Sequence, residues 1–139
     1  MESEIKLLID NRSGAIKAKN IDRLLACYTS DIIYFDVVPP LQYVGTDALR
    51  KRFSNWFESY ESGIGQEVRD LHIWISGDIA AASMLIRSGG TLKGGKEVGL
   101  WVRTSNNFQR TDDRWLITHE HVSVPADLKN GSAVTDIEP

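Results

Sequence analysis

The sequence LHIWISGDIAAASMLIRS, residues 71–88, contains two β-strand patterns separated by a turn. From Leu71 to Ile75, apolar residues fall at every second position, which is the period of a half-buried β-strand. Ser76-Gly77-Asp78 is rich in turn-forming residues, and a second strand of small and apolar residues begins at Ile79. Because the connection is so short, we expect these two strands to pair antiparallel.

The same alternation continues downstream and predicts two more strands. Residues 91–96 contain two adjacent glycines and lead to a long strand from Glu97 to Arg110. A turn over 111–114 leads to a last strand from Trp115 to Val124. All three connections are short, so we expect a four-stranded antiparallel meander.

The residues upstream of the meander are predicted to be mainly helical. Apolar residues recur at three-and-four spacing from Ile5 to Ile16, and Asn20 is a suitable N-cap for a short helix over Ile21–Tyr28. A β-branched and aromatic run over Ile32–Val38 predicts one strand, and a third helix with a broad apolar stripe starts from Thr46 as N-cap.

This order of helices followed by strands predicts an α+β protein. We expect one domain over residues 1–125 and a C-terminal tail over 126–139, because the tail has little apolar content. The composition, 42% hydrophobic and 25% charged, is typical of a globular protein.

The bulk composition also disfavours several functional classes. A net charge of -3 disfavours a nucleic-acid partner, whose binders carry a basic face. No apolar run approaches the roughly 20 residues of a membrane span, and the N-terminus is acidic, so we expect no membrane association and a cytoplasmic location. Cys27 is the only cysteine, which excludes an intrachain disulfide.

Asp36 is the strongest candidate for a catalytic residue. It lies among Tyr34, Phe35 and Val37, so its carboxylate would be partly desolvated if it points inward, and desolvation makes a carboxylate a better proton acceptor. The other interpretation is that Asp36 hydrogen-bonds the turn formed by Pro39-Pro40.

His119 and His121 are the second pair of candidates. Strict alternation places both on one side of the last strand, together with Trp115 and Ile117. We favour His121 as a pocket acid or base opposite Asp36, with His119 toward the pocket edge or the interface. The pair could instead support a dimer face of the sheet or bond loop carbonyls. A metal site is disfavoured because no carboxylate follows at short range, so no metal and no cofactor are expected.

Several aromatic and basic residues are candidates for ligand binding. Trp56 and Tyr43 are close to Asp36 in sequence and could stack on a flat ligand at the pocket mouth. Trp101 and Arg103 share one side of the long strand, facing either the pocket or solvent.

Two stretches of the chain resemble known proteins. The segment from Tyr28 to Asp31, with Asp36 and then Gly45 before a helix, resembles ketosteroid isomerases, which have an acidic residue and a glycine at the same distances. The closing segment from Phe108 to Ser123 is similar to SnoaL-like proteins and to the association domain of calcium/calmodulin-dependent kinases.

This resemblance implies an NTF2-like cone, in which a curved sheet wraps around N-terminal helices and encloses a central pocket. In that comparison Asp36 matches the general base, while Arg12 and Asn106 fall where the isomerases place their two oxyanion donors. Both residue types can donate to an oxyanion, and an arginine in the pocket would favour an anionic group on the ligand.

Two classes of function follow from these observations. The first is a cofactor-free proton-transfer enzyme of isomerase, dehydratase or cyclase type, acting on a small, mostly apolar carbonyl compound. The second is a non-catalytic module for ligand binding or association. In either case a homodimer is expected, because Trp74 and Trp101 leave the open face of the sheet apolar.

Overall fold

The computed structural model describes all residues, 1–139, and contains three helices and eight strands. The elements are α1 (Glu2–Lys17), α2 (Ile21–Leu25), β1 (Tyr28–Phe35), β2 (Tyr43–Val44), α3 (Thr46–Glu58), β3 (Gly65–Ser76), β4 (Ile79–Thr91), β5 (Glu97–Thr111), β6 (Arg114–Ser123), β7 (Ala126–Asp127) and β8 (Ser132–Ala133).

Six of the strands form one sheet in the order β2-β1-β6-β5-β4-β3. Strands β3 to β6 pair antiparallel with their sequence neighbours, which confirms the predicted meander. Strand β1 runs parallel to β6, so the sheet is mixed. The α+β class is therefore confirmed, with the helices before the meander.

The helices bury one side of the sheet, which we call the inner face. Leu49, Phe53 and Phe57 recur at a spacing of four on α3, so one stripe of this helix enters the core. The Asn20 side chain caps α2 by accepting a hydrogen bond from the backbone N–H of Arg23 (3.1 Å), as predicted.

Some element boundaries differ from the sequence-based expectation. The cap position of α3 falls on Gly45 rather than Thr46, and its φ of 86° favours glycine. Strand β1 begins at Tyr28, which was expected to end a helix, and it stops at Phe35. Asp36 therefore lies just beyond the strand instead of within it.

An irregularity in β6 determines which residues face inward. Asn107 pairs with His119 whereas Phe108 pairs with Ile117, so Thr118 is an extra residue relative to β5. Such a β-bulge shifts the alternation by one residue. Ile117 is buried on the inner face, and beyond the bulge Glu120 is the next fully buried residue.

The C-terminal residues form a small hairpin beyond the main sheet. Strands β7 and β8 pair antiparallel, with the backbone N–H of Gly131 bonded to the carbonyl of Asp127 at 2.7 Å. The closing residues then reach the outer face of the sheet, where Ile137 lines a shallow depression together with Trp101. None of the three helices combines the length and the apolar character needed to span a membrane.

Candidate functional site

A cavity of about 110 Å³ lies between α1, α3 and the inner face of the sheet. Nine of its fifteen lining residues are hydrophobic, so its wall is mainly apolar. Phe53 and Trp56 contribute from α3, and Ile86, Leu100 and Val102 contribute from β4 and β5. At about 110 Å³ it is smaller than the apolar cavity of about 150 Å³ that holds a benzene molecule, so it has room for at most one small ring.

Asp36 reaches this cavity from the end of β1. Its side chain is 7% exposed and lines the wall beside Tyr34 and Val37. One carboxylate oxygen accepts a hydrogen bond from the backbone N–H of Val37 at 2.7 Å, and the other accepts one from Arg52 Nε at 2.8 Å. Asp36 therefore lines the cavity and bonds the backbone directly after it, at Val37, and no hydrogen bond joins it to the Pro39-Pro40 turn.

Each oxygen of Asp36 keeps further acceptor capacity, because a carboxylate oxygen can accept more than one hydrogen bond. Arg52, on α3, also lines the cavity and is 21% exposed. Its ion pair with Asp36 fixes the carboxylate against the cavity wall.

A second ion pair lies at the inner end of the cavity, between Arg12 on α1 and Glu120 on β6. Two hydrogen bonds join them, from Nε to Oε1 at 3.0 Å and from Nη2 to Oε2 at 2.7 Å. Tyr28 and Asn106 also donate to Oε1 of Glu120, at 3.0 Å and 2.8 Å. Such a bidentate, charge-assisted ion pair is a strong and directional contact.

The pKa values of three side chains in and beside this network, Arg12, Tyr28 and Tyr34, are raised. Desolvation lowers the pKa of Arg12, but the charge of Glu120, with help from Tyr28, outweighs it and raises that pKa well above its usual value. Burial, followed by the charge of Glu120, raises the pKa of both Tyr28 and Tyr34 well above the ordinary tyrosine value. The two tyrosines therefore stay neutral hydrogen-bond donors over the physiological range.

The charges around the cavity cancel in pairs. Arg12 is matched by Glu120, and Arg52 is matched by Asp36. The expectation that Arg12 would favour an anionic ligand is therefore not supported by its surroundings, because its charge is already compensated. A neutral ligand leaves both pairs intact.

Two hydroxyl groups on the cavity wall have no protein partner. Thr104 Oγ1, on β5, is buried and makes no hydrogen bond. Tyr34 also lines the cavity, and its hydroxyl donates to no protein atom. Most buried polar groups in proteins are hydrogen-bonded, so these two are available to a molecule in the cavity.

The predicted position of His121 in the cavity is wrong. The bulge at Thr118 turns His119 and His121 to the outer face, where both rings pack edge-on against Phe35. Strict alternation had placed them with Trp115 and Ile117, but that alternation holds only up to the bulge.

No group of three or more histidine, cysteine or acidic side chains is arranged to hold a metal ion.

Three further candidates lie outside the cavity. The Tyr43 hydroxyl is bonded to the backbone carbonyl of Pro39 at 3.2 Å, on the edge strand β2. Trp101 lies on the outer face, with the Arg69 guanidinium 5.7 Å from its ring centroid. Arg103 is exposed on the same face and donates to Ser123 Oγ at 3.2 Å.

The other predicted residues lie in or beside the cavity. Asp36, Arg12 and Trp56 line it, and Asn106 lies behind it as a donor to Glu120. Sequence reasoning missed Glu120 and Thr104. A buried arginine requires a buried partner, and this requirement was the available signal for Glu120. No sequence signal distinguished Thr104 from other strand threonines.

The SnoaL-like domain family matches this chain over residues 5–127. Among proteins of curated function, none matches it. An NTF2-like protein of unknown function from Pseudomonas putida KT2440 has 29% sequence identity and a TM-score of 0.89, and the match covers 99% of this chain and 96% of that one.

Two more distant solved structures share the fold. A ketosteroid isomerase-like protein from Erwinia carotovora atroseptica SCRI1043 is 19% identical, with a TM-score of 0.75. A proposed dehydratase of the NTF2-like family from Streptomyces avermitilis is 20% identical, also with a TM-score of 0.75. Each match covers 87% of this chain and 93% of the other protein, and at these identities it supports the NTF2-like fold alone.

Proposed function

We propose that this chain, which belongs to the SnoaL-like domain family, binds a small, uncharged, mostly apolar carbonyl compound in its cavity. Asp36 then moves a proton from one atom of that compound to another. The observation that carries this proposal is the Asp36 carboxylate on the wall of a mainly apolar cavity that is also lined by Tyr34 and by Thr104, whose buried hydroxyl has no hydrogen-bond partner. Names of related structures include isomerase-like and dehydratase, which agrees with this class of chemistry.

The chemistry follows from the positions of these groups. The Asp36 carboxylate takes a proton from the carbon next to the carbonyl, and the electron pair of that C–H bond moves to form an enolate. Hydrogen bonds from neutral hydroxyls stabilise the developing negative charge on oxygen. In a β,γ-unsaturated ketone, return of the proton from Asp36 to the γ-carbon moves the double bond into conjugation and completes an isomerisation. In a β-hydroxy ketone, the carbonyl re-forms as the β-carbon–oxygen bond breaks, and the proton held by Asp36 leaves with the hydroxyl as water, which completes a dehydration. No cofactor takes part in either reaction.

The test is hydrogen exchange at the carbon next to the carbonyl of cyclohexanone, followed by proton NMR in D₂O. We expect saturable acceleration by the wild-type protein and a loss of about 100-fold or more in Asp36→Asn, the usual size of a general-base contribution. Asp31→Asn is the matched control, because Asp31 is an exposed carboxylate on β1 and is the nearest acidic residue before Asp36 in the sequence. Thermal denaturation checks that both variants are folded.

Equal exchange rates in wild type and Asp36→Asn would contradict the catalytic role of Asp36. Saturable binding without any exchange would favour the alternative function, a non-catalytic ligand-binding module. That alternative is supported by the two hydrogen bonds that Asp36 already accepts, one from the backbone of Val37 and one from Arg52 on α3.

We also propose that the protein forms a homodimer through the outer face of the sheet. Trp74 is 59% exposed and Ile79 is 64% exposed, and both lie at one end of this face. Small residues, Ala81 and Ser83, occupy the neighbouring positions of β4, so a second sheet can approach closely. Light scattering coupled to size exclusion should give twice the chain mass of 15.6 kDa, and Trp74→Ser should shift the protein toward monomer. A wild-type monomer at micromolar concentration would contradict this proposal.

A further inference from the structure

Thr104 is a buried residue of the cavity wall, and its side-chain hydroxyl has no hydrogen-bond partner. It lies in the middle of β5, is 2% exposed, and its Oγ1 makes no hydrogen bond. Its direct neighbours across the sheet are Met84 on β4 and Val122 on β6, and neither side chain offers a good hydrogen-bonding group. Thr104 lines the cavity, and a rotation of its side chain would bring the buried Oγ1 to a ligand there.

An unpaired buried hydroxyl destabilises the folded protein, because it loses its hydrogen bonds to water without replacing them. Valine has nearly the same shape and β-branching as threonine and would fit this strand position without that loss. Thr104 therefore has a destabilising hydroxyl at a place where an apolar residue would suffice for packing.

The surroundings of Thr104 restrict the chemistry of a partner. The cavity charges are already paired, Arg12 with Glu120 and Arg52 with Asp36, so a charged group would enter without a free counter-ion. Tyr34 contributes a second free hydroxyl to the same cavity. Two neutral donors on a mainly apolar wall suit the oxygen atom of an uncharged ligand.

We propose that Thr104 is a ligand-binding residue whose hydroxyl donates a hydrogen bond to the carbonyl oxygen of an uncharged ligand of about one ring, with Tyr34 as the second donor. This inference rests on the proposed function, because it requires that a ligand occupies the cavity. It adds the residue that recognises the oxygen and the charge state of the compound that is recognised.

Ser13 provides a matched control for this inference. Its Oγ is the other buried hydroxyl without a hydrogen bond, but it lies on α1 and does not line the cavity. Removing either hydroxyl should raise the melting temperature of the ligand-free protein. Only the removal of the Thr104 hydroxyl should weaken ligand binding.

The experiment measures cyclohexanone and cyclohexanecarboxylate binding by NMR titration to wild type, Thr104→Val, Thr104→Ser and Ser13→Ala. We expect Thr104→Val to melt higher and to bind cyclohexanone about tenfold more weakly, which corresponds to the loss of one hydrogen bond. Thr104→Ser keeps the hydroxyl and should bind within about threefold of wild type, as should Ser13→Ala. Wild type should prefer cyclohexanone to the carboxylate by at least about tenfold, because the carboxylate brings an unpaired charge.

The outcomes separate this inference from the proposed function. Binding of cyclohexanone with equal affinity by wild type and Thr104→Val would overturn the role of Thr104 and leave the pocket proposal standing. Tighter binding of the carboxylate would overturn the neutral ligand class. If neither probe binds to wild type, the proposed function fails, and the inference about Thr104 fails with it.

Discussion

Polar residues on the two faces of the sheet at strands β5 and β6 have opposite environments, buried on the inner face and exposed on the outer face. On the inner face, Asn106 pairs with Glu120, and both are buried in a hydrogen-bonded network. On the outer face, one residue away in each strand, Ser105 pairs with His121, and both are exposed. Each inner polar group of this pair depends on its neighbours, whereas the outer groups can be solvated independently.

The comparison shows why the inner face tolerates so much charge. Glu120 is fully buried, but it accepts hydrogen bonds from three side chains: Arg12, Tyr28 and Asn106. A buried charge is stable only when its partners replace the lost water. The outer face needs no such arrangement, because water remains available.

The largest expected effect comes from removing the charge of Glu120. Glu120→Gln leaves the Arg12 cation buried without a counter-ion, so the free energy of unfolding should fall by about 3–5 kcal/mol. His121→Gln, on the adjacent outer position, should change it by no more than about 0.5 kcal/mol. Urea denaturation measures both.

The double variant Glu120→Gln with Arg12→Met separates the cost of the unpaired charge from the cost of lost packing. It should recover much of the stability, because no unpaired charge remains. Equal stability of Glu120→Gln and His121→Gln would show that the two faces do not differ in the way described.

A smaller effect is expected at high pH, and it acts only on the buried groups. Unfolded tyrosine ionises near pH 10, whereas the folded-state pKa values of Tyr28 and Tyr34 are raised well above that. Below pH 10 both states keep the proton and the stability contribution is constant. Above pH 10 only the unfolded state loses it, so the free energy of unfolding should fall with rising pH, by about 1.4 kcal/mol per pH unit for each tyrosine.

Urea denaturation between pH 9 and pH 11 tests this dependence. For Tyr28→Phe the free energy of unfolding should fall less steeply with pH than for wild type, because one of the two tyrosines with a raised pKa is gone. Burial also raises the pKa of Cys27, which adds the same downward trend from a lower starting pH, so Cys27→Ser serves as a reference. A Tyr28→Phe slope identical to wild type would show that this hydroxyl does not contribute.

Much of the fold could be predicted because it follows from short-range patterns. The alternation after Leu71, the turn at Ser76-Gly77-Asp78 and the apolar stripe of α3 each depend on residues close in sequence. The boundaries of β1 could not be predicted in this way. Its first residue, Tyr28, is held by pairing with Ile117 and by a hydrogen bond to Glu120, both distant in sequence.

The candidate site could be predicted only for residues whose type is unusual among their neighbours in sequence. Asp36 stands out in the sequence as an acidic residue among aromatic and β-branched neighbours, and the structure places it on the cavity wall. His121 was assigned to the wrong face because the bulge depends on how β6 aligns with β5, which the local sequence does not encode. Thr104 becomes notable only when its neighbours Met84 and Val122 are known.

Because of the bulge at Thr118, the Arg12–Glu120 pair also disfavours a wrong alignment of β6 with β5 during folding. A strand that slipped by one residue past this point would turn Glu120 outward and bring His119 and His121 in. Arg12 would then face two imidazoles instead of a carboxylate, and the misaligned chain would contain an uncompensated cation. An apolar pair could hold the native fold as well, but it would not penalise the misaligned one. The ion pair therefore discriminates between two alignments of the same strand, and accuracy of assembly is what the buried charges contribute.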